Sequence, residues 1–179
     1  MINKLKFACY VFIGFFSTAS LGKPPMATVD YVDLERFMGD WYVIANIPTA
    51  LEKDAYNPLE SYRLDDDGTI ATTFSFNKGA FDGEKKVYHP RGFVKNTETN
   101  AEWGMQFIWP IKADYRVVYL DEAYQYTVIG RTKRDYVWVM ARNAEISDQK
   151  WQELRSFVIS IGYDESSLQK APHQRASAD

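Results

Sequence analysis

Gly39-Asp40-Trp41-Tyr42 marks the start of the predicted core, because this stretch joins a short helical turn at residues 33–38 to strand-forming residues that run to Ile47. Glycine allows two backbones to approach closely, and tryptophan is the largest apolar side chain available to close one end of a core. Alternation along the strand then places Trp41, Val43 and Ala45 on one face. The stretch therefore indicates a plug in a hydrophobic core and not a catalytic site.

The composition is that of a single domain with a substantial core. The chain has 179 residues, of which 46% are hydrophobic and 16% aromatic, and this aromatic content favours β-structure. The formal net charge of -3 excludes the basic surface with which proteins neutralise nucleic-acid phosphates. A nucleic-acid partner is therefore not expected.

The N-terminus has the features of a cleaved signal peptide. Lys4 and Lys6 precede an apolar run that ends at Phe16, and small residues follow as far as Gly22. The run is shorter than the roughly 20 residues that a membrane-spanning helix needs. We therefore predict a signal peptide at residues 1–22, an N-terminal linker at 23–32, and an exported protein that is periplasmic or secreted.

Cysteine usage bears on both redox chemistry and membrane attachment. The only cysteine, Cys9, would be removed with the signal peptide, so the mature chain would have no disulfide and no thiol nucleophile. A lipid-bearing cysteine would directly follow a short small-residue box, but Lys23 stands after Leu21-Gly22. An outer-membrane lipid anchor is therefore not expected.

From residue 59 onward the sequence reads as a series of strands separated by turns. The segment from Pro48 to Pro58 before it reads as a long loop, and long loops in compact domains are often functional. Together with the first strand, the predicted strands make an all-β, eight-stranded, up-and-down antiparallel barrel. The remaining predicted strands are Leu59 to Leu64, Thr69 to Asn77, Lys85 to Lys95 with an interruption at Pro90, Glu102 to Trp109, Tyr115 to Leu120, Tyr124 to Arg131 and Asp135 to Arg142.

A single long helix is predicted after the last strand. Ser147 is a suitable N-cap, and Gly162 is a suitable stop. The apolar stripe between them predicts that the helix packs on the outside of the barrel, and it consists of Trp151, Leu154, Val158 and Ile161. Barrel and helix together would occupy residues 33–165, and a polar, frayed C-terminal tail would occupy residues 166–179.

The motifs quoted above resemble those of the lipocalin family over nearly the whole mature chain. They include the Gly39 to Tyr42 start, the Arg131 to Tyr136 turn and Arg142 after the last strand. Asp135 to Arg142, followed by Ile146-Ser147-Asp148, is most similar to bacterial outer-membrane lipocalins, apolipoprotein D and plant temperature-induced lipocalins. This resemblance implies non-catalytic binding, storage or transport of a fatty acid or lysophospholipid that supports membrane maintenance under stress.

The resemblance also assigns a structural role to Gly39, Trp41 and Arg142, with the arginine packed across the tryptophan at the closed end of the barrel. If both side chains face inward, alternation along the last strand leaves Val137 and Val139 for the helix outside. The same alternation predicts a ligand cavity lined by Val43, Ala45, Tyr62, Leu64, Phe74, Phe76, Trp103, Met105, Phe107, Tyr115, Val117, Val128, Tyr136, Trp138 and Met140. Glu60 shares the parity of Tyr62, although a solvated charge at the rim is the default interpretation.

Several alternatives stay open at this level. A lipocalin-fold enzyme is one, but the chain has neither a Gly-x-Ser-x-Gly nor a His-Glu-x-x-His motif, and His89 and His173 read as surface residues. We therefore predict no catalytic residues, no metal and no cofactor. A carrier of another hydrophobic ligand, such as a tetrapyrrole, is a second alternative, and a protein-interaction module is a third. Association with a membrane surface, and a monomeric or homodimeric state, are left open.

Overall fold

A computed structural model of the chain describes residues 26–174, so the predicted signal peptide lies outside the described residues. Among the described residues, no helix has the length and apolar character needed to cross a membrane. The helical elements are α1 at Leu34–Phe37, α2 at Asp148–Ser160 and a short 3-10 turn at Glu165–Ser167. The strands are β1 Gly39–Ile47, β2 Ala55–Leu64, β3 Thr69–Lys78, β4 Lys85–Tyr88, β5 Arg91–Val94, β6 Glu102–Ile108, β7 Ile111–Leu120, β8 Tyr126–Gly130, β9 Val137–Ala141 and β10 Gln169–Lys170.

The strands close into an antiparallel barrel in which nearly every strand pairs with its neighbours in sequence. β4 and β5 both pair with β3 and form two halves of one barrel strand, interrupted at Pro90 as predicted. The circuit is completed by pairing of β1 with β9. With β10 outside this circuit, the barrel has eight strands, and the predicted fold is confirmed.

Antiparallel order divides the connections between two ends of the barrel. The closed end holds helix α1 and the turns at residues 65–68, 95–101 and 121–125. The open end holds the connections at residues 48–54, 79–84, 109–110 and 131–136. Any ligand cavity must therefore be reached through the second set.

Two strand boundaries differ from the prediction by more than two residues. β2 begins at Ala55, inside the segment predicted to be a loop. Its first residues pair with β3, and the register then shifts between Tyr56 and Leu59, where Asn57 adopts a φ of 50°. This irregularity accommodates Pro58, which cannot donate to a strand ladder. β7 begins at Ile111 because β6 and β7 are joined by the tight Trp109-Pro110 connection.

Helix α2 packs on the outside of the barrel as predicted. The Ser147 side chain accepts a hydrogen bond from the backbone N–H of Lys150, and Gly162 follows the helix with a φ of 96°. The buried face consists of Trp151, Leu154 and Val158. These residues form one apolar cluster with Val137 and Val139, whose predicted outward orientation is confirmed.

The predicted fraying from Ser166 onward is wrong for residues 166–174, because this segment packs against the barrel. β10 pairs with Ala45 and Asn46 of β1. Beyond it, the backbone N–H of Ala171 donates to the carbonyl oxygen of Ile44 over 2.9 Å. The segment thus occupies the edge of β1 that β2 leaves uncovered, since β2 pairs with β1 only at residues 39–42.

Candidate functional site

The closed end is plugged by Trp41 and Arg142. The guanidinium carbon of Arg142 lies 3.8 Å from the centroid of the Trp41 ring, a cation–π geometry. Arg142 also donates to the carbonyl oxygens of Asp40 at 2.8 Å and Arg36 at 2.9 Å, while the Trp41 indole N–H donates to the carbonyl oxygen of Phe37 at 2.8 Å. This end of the barrel is therefore sealed by apolar packing and by satisfied hydrogen bonds.

Above the plug, side chains fill the barrel interior. They pack against one another as a hydrophobic core. Trp103 stacks on Tyr115 with ring centroids 5.5 Å apart, and its edge meets Phe37 at 5.4 Å. The predicted cavity residues that lie in this packed layer, and not around open space, are Val43, Tyr62, Leu64, Trp103, Val117 and Met140.

A cavity of about 320 Å³ remains at the open end, inside the barrel, and its lining is mainly apolar. Six of the predicted cavity residues line it together: Phe74, Met105, Phe107, Tyr115, Tyr136 and Trp138. A larger cleft of about 470 Å³ lies between the 48–58 segment and residues 169–172, but its lining is more polar. Enclosure by the barrel and apolar character therefore select the smaller cavity as the candidate site.

Three predicted cavity residues lie elsewhere. Ala45 belongs to the cluster under helix α2, because a register shift between Val43 and Ala45 reverses the alternation of β1. Val128 also packs in that cluster, since its neighbour Ile129 takes the inward position on β8. Phe76 is buried against Phe74, with ring centroids 5.3 Å apart, and does not line the cavity.

The loop at residues 48–54 supplies cavity residues that were not predicted. Glu52 is only 6% exposed, and its carboxylate accepts hydrogen bonds from the Trp138 indole N–H at 2.5 Å and the Thr49 backbone N–H at 2.7 Å. These bonds hold Thr49, Ala50 and Leu51 against the cavity. An acidic residue in a loop has no periodic pattern to mark it, and only the length of the loop pointed to a function. The other unpredicted lining residues are Ala113, Asp114 and Arg131.

Glu60 is the second buried acid of the cavity, and its interpretation as a solvated rim charge is wrong. Its side chain points inward from β2, as its shared parity with Tyr62 suggested, and it is 7% exposed. Burial raises the pKa of Glu60 well above its usual value, and the nearby charge of Glu52 raises it further. Next to it, the hydroxyls of Tyr62 and Tyr115 share a 2.5 Å hydrogen bond.

The rim of the cavity is unusually apolar. Trp109 is 83% exposed and Ile108 is 72% exposed, although simple alternation along β6 from Trp103 would place Trp109 inward. A register shift beyond Met105 and the tight turn after Ile108 carry both side chains out of the barrel. Together with Leu51, Phe107 and Ile111, these residues form what we call the apolar rim.

Neither histidine lies at the cavity. His89 contacts the hydroxyl of Thr73 over 3.3 Å on an exposed surface. His173, predicted to lie in a frayed tail, instead contacts the carbonyl oxygen of Val43 over 2.8 Å, and burial lowers its pKa. Within residues 26–174, no cluster of three or more His, Cys, Asp or Glu side chains is arranged to hold a metal ion.

Comparisons with known proteins agree with this architecture. Residues 32–173 match the family model described as a lipocalin-like domain. The chain is 30% identical over 162 residues to temperature-induced lipocalin-1 of Arabidopsis thaliana, covering 84% of each protein. It is 28% identical over 148 residues to the outer membrane lipoprotein Blc of Escherichia coli K12, covering 80% of this chain and 81% of that protein.

More distant relatives and solved structures extend the likeness. Mouse apolipoprotein D is 27% identical over 180 residues, with 92% of each protein covered. The crystal structure of insecticyanin from the tobacco hornworm Manduca sexta superimposes with a TM-score of 0.65 at 17% identity, covering 87% of each chain. At that identity, the structural match supports the fold alone.

Proposed function

Because the chain belongs to the lipocalin family, we propose that it is a non-catalytic carrier that binds one single-chain lipid, a fatty acid or a lysophospholipid, in the cavity at the open end. Binding of small hydrophobic ligands is general in this family. The observation that carries the proposal is the mainly apolar 320 Å³ cavity, enclosed by the barrel and open between the connections of one end. Such cavities bind ligands by removing apolar surface from water.

The size of the cavity favours a ligand with one acyl chain. Ligand sites in proteins usually measure about 300–1,000 Å³, and this cavity lies at the lower end of that range. Each methylene that leaves water contributes about 0.8 kcal/mol, and several kcal/mol are lost to ordering and association. A single chain inside the cavity therefore supports micromolar or tighter binding.

The apolar rim supports loading of this ligand at a membrane surface. Trp109 stands at the tip of the β6–β7 connection with Ile108 and Ile111 beside it, and tryptophan is favoured at membrane–water interfaces. Leu51 and Phe107 belong both to the rim and to the cavity lining, so apolar surface continues from outside to inside. The names of two relatives, an outer membrane lipoprotein and a temperature-induced lipocalin, agree with a role in membrane maintenance.

The signal-like N-terminus supports export, so the place of action would be the periplasm or the extracellular space. Mass analysis of the N-terminus of the protein purified from its native compartment tests this part. A first residue near position 23 without an acyl group agrees with the proposal. An acylated N-terminus contradicts it.

Native mass spectrometry combined with calorimetric titration tests the carrier function. The mature protein is titrated with a lysophospholipid and a fatty acid of equal chain length, and we expect saturable one-to-one binding with the ligand recovered chemically unchanged. Trp138→Ala removes a lining ring and the hydrogen bond to Glu52, so the affinity should fall by about tenfold or more. Trp151→Phe, on the buried face of the outer helix α2, is the matched control and should bind normally.

Two outcomes contradict the proposal in different ways. If neither lipid class binds, the cavity does not serve as a lipid site. If the ligand is recovered with a changed mass, the protein is an enzyme and not a carrier. For the rim, co-sedimentation with anionic vesicles should decrease in Trp109→Ala, and equal co-sedimentation of the variant and the native protein contradicts the membrane part.

A further inference from the structure

Two carboxylic acids lie inside a cavity that is otherwise mainly apolar. Glu52 enters it from the loop at residues 48–54, and Glu60 enters it from β2. Their exposed fractions are 6% and 7%, so both have been withdrawn from bulk water. Burial of acidic groups is costly unless each charge has a partner.

The other charged groups at the cavity have ion-pair partners of their own. Arg131 pairs with Asp135 at 3.4 Å, and Asp114 pairs with Arg116 at 3.1 Å, although the buried Nε of Arg131 has no hydrogen-bond partner among the described residues. In the part of the chain that the structure describes, no lysine or arginine forms an ion pair with Glu52 or Glu60. The cavity therefore holds acidic groups whose counter-charge the protein does not supply.

Both acids line the same cavity. Burial and the like charge of Glu52 together raise the pKa of Glu60, which reflects repulsion between the two carboxylates. A cation placed near both groups would relieve this repulsion and favour the ionised form of Glu60. A second carboxylate would increase the repulsion.

Aromatic rings line the same cavity as the acids. Trp138 packs against Tyr115 and Tyr136, with ring centroids 6.1 Å and 6.4 Å apart, and all three residues line the cavity. Aromatic rings attract ammonium groups through their electron-rich faces, and cages of such rings recognise quaternary ammonium ligands. The acids and the aromatic rings therefore both favour an ammonium group in the ligand.

We propose that the cavity selects single-chain amphiphiles that carry an ammonium group, with the nitrogen held by Glu52 and Glu60 and the apolar chain filling the rest of the cavity past Leu51 and Phe107 toward the rim. This inference rests on the proposed carrier function and narrows it. Free fatty acids are then poorer ligands, because their carboxylate would face two acids, and Arg131, which already pairs with Asp135, would offer it one remaining buried N–H. Among lysophospholipids, those with an ammonium head group are the better ligands.

Three probes that share a dodecyl chain and differ only in the head group test the charge preference. Dodecyltrimethylammonium, dodecanol and dodecanoate are titrated calorimetrically into the mature protein at neutral pH, below their micelle-forming concentrations. The ammonium probe gains charge and cation–π contacts in place of the repulsion that dodecanoate meets, so we expect it to bind at least about tenfold more tightly than dodecanoate. Its affinity should also increase as the pH rises and Glu60 ionises, whereas that of dodecanol should not.

Neutral variants assign the preference to the two acids. The double variant Glu52→Gln/Glu60→Gln keeps the side-chain shapes and should reduce the ratio between ammonium and carboxylate probes to about threefold or less. Glu60→Gln alone should abolish the pH dependence. Glu98→Gln, an exposed acid at the closed end, is the matched control and should keep both effects. Far-UV circular dichroism verifies that each variant is folded.

The outcomes separate this inference from the carrier function. If all three probes bind equally, or if dodecanoate binds best, the charge selection is wrong and the carrier function stands. If the double variant keeps the full ammonium preference, Glu52 and Glu60 are not its source and the inference is also wrong. If no probe binds at all, the carrier function itself fails.

Discussion

At the closed end of the barrel Trp41 and Trp103 are completely buried, whereas at the open end Trp109 is 83% exposed. The charged groups of the two ends also differ in the partners that they have. Arg142 donates to backbone carbonyl oxygens around the plug, while Glu52 and Glu60 occupy the cavity without a cationic partner among the described residues. The closed end thus has hydrogen-bonded polar groups and buried apolar surface. The open end has exposed apolar surface and two buried acids without an ion pair in the described part of the chain.

The charges of the connections follow the same division. The closed-end turns are acidic, which keeps them in water, and their acids include Asp65, Asp66, Asp67, Asp121 and Glu122. The open-end connections and adjoining strand ends carry many of the basic residues, including Lys53, Lys85, Lys86, Lys112 and Lys133. Basic residues next to exposed apolar ones favour an anionic lipid surface. Buried and hydrogen-bonded groups are therefore concentrated at one end of the barrel, and exposed apolar and basic groups at the other.

The largest expected effect is that of removing the plug. Trp41→Ala should lower the free energy of unfolding by about 3–5 kcal/mol, because a fully buried aromatic side chain leaves a cavity behind. Trp109→Ala at the open end should change it by about 0.5 kcal/mol or less. Urea denaturation measures both values. Equal losses in the two variants would remove the distinction between the ends.

Replacing one arginine at each end of the barrel compares how much a charged side chain stabilises each end. Arg142→Met keeps most of the side-chain volume but loses hydrogen bonds to the carbonyl oxygens of Arg36 and Asp40, so it should cost about 2 kcal/mol of unfolding free energy. Arg131→Met at the open end loses an ion pair with Asp135 and should cost about 1 kcal/mol or less. Chemical denaturation again decides, and a larger loss for Arg131→Met would reverse the assignment.

The smallest expected effect is a gain in the free energy of unfolding in Glu60→Gln, and this gain depends on pH. The folded-state pKa of Glu60 lies above the ordinary glutamate value of 4.5, so the unfolded chain releases this proton first as the pH rises. The free energy of unfolding is therefore unaffected by this group below pH 4.5 and decreases as the pH rises toward the raised pKa. Glu60→Gln should be more stable than the native protein at neutral pH, by on the order of 1 kcal/mol.

Thermal or urea unfolding across a pH series measures this gain. It should disappear below pH 4.5, where the native side chain is protonated in both states. Glu98→Gln, which is exposed at the closed end, should show no gain at any pH. A Glu60→Gln variant that is less stable than the native protein at neutral pH would show that the ionised group contributes stability at the open end.

Sequence reasoning was most successful where a local pattern has one physical interpretation. The Ser147 cap, the apolar stripe of α2 and the alternation that separates Trp138 from Val137 and Val139 depend on short segments, and the structure confirms the helix and these orientations. The barrel could also be predicted, because strands at regular spacing with short turns have few closed arrangements.

The prediction failed where alternation is interrupted. The bulge in β1 sends Ala45 outward, and the turn after Ile108 exposes Trp109. Such interruptions depend on how a strand fits its neighbours, so no single strand contains the signal for them. Glu52 was missed as a cavity residue for a related reason, since a loop has no period from which an inward side chain could be inferred.

The strand order, the late helix and the tryptophan plug follow from local sequence patterns, because hydrophobic periodicity and turn chemistry act over a few residues. Tertiary packing sets how much of the barrel interior stays open and which polar groups enter it. Cavity size depends on the summed packing of side chains from many strands, and the burial of Glu60 depends on what covers it. Both quantities arise when distant segments meet, and therefore the plug could be predicted from its motif while the acidic cavity could not.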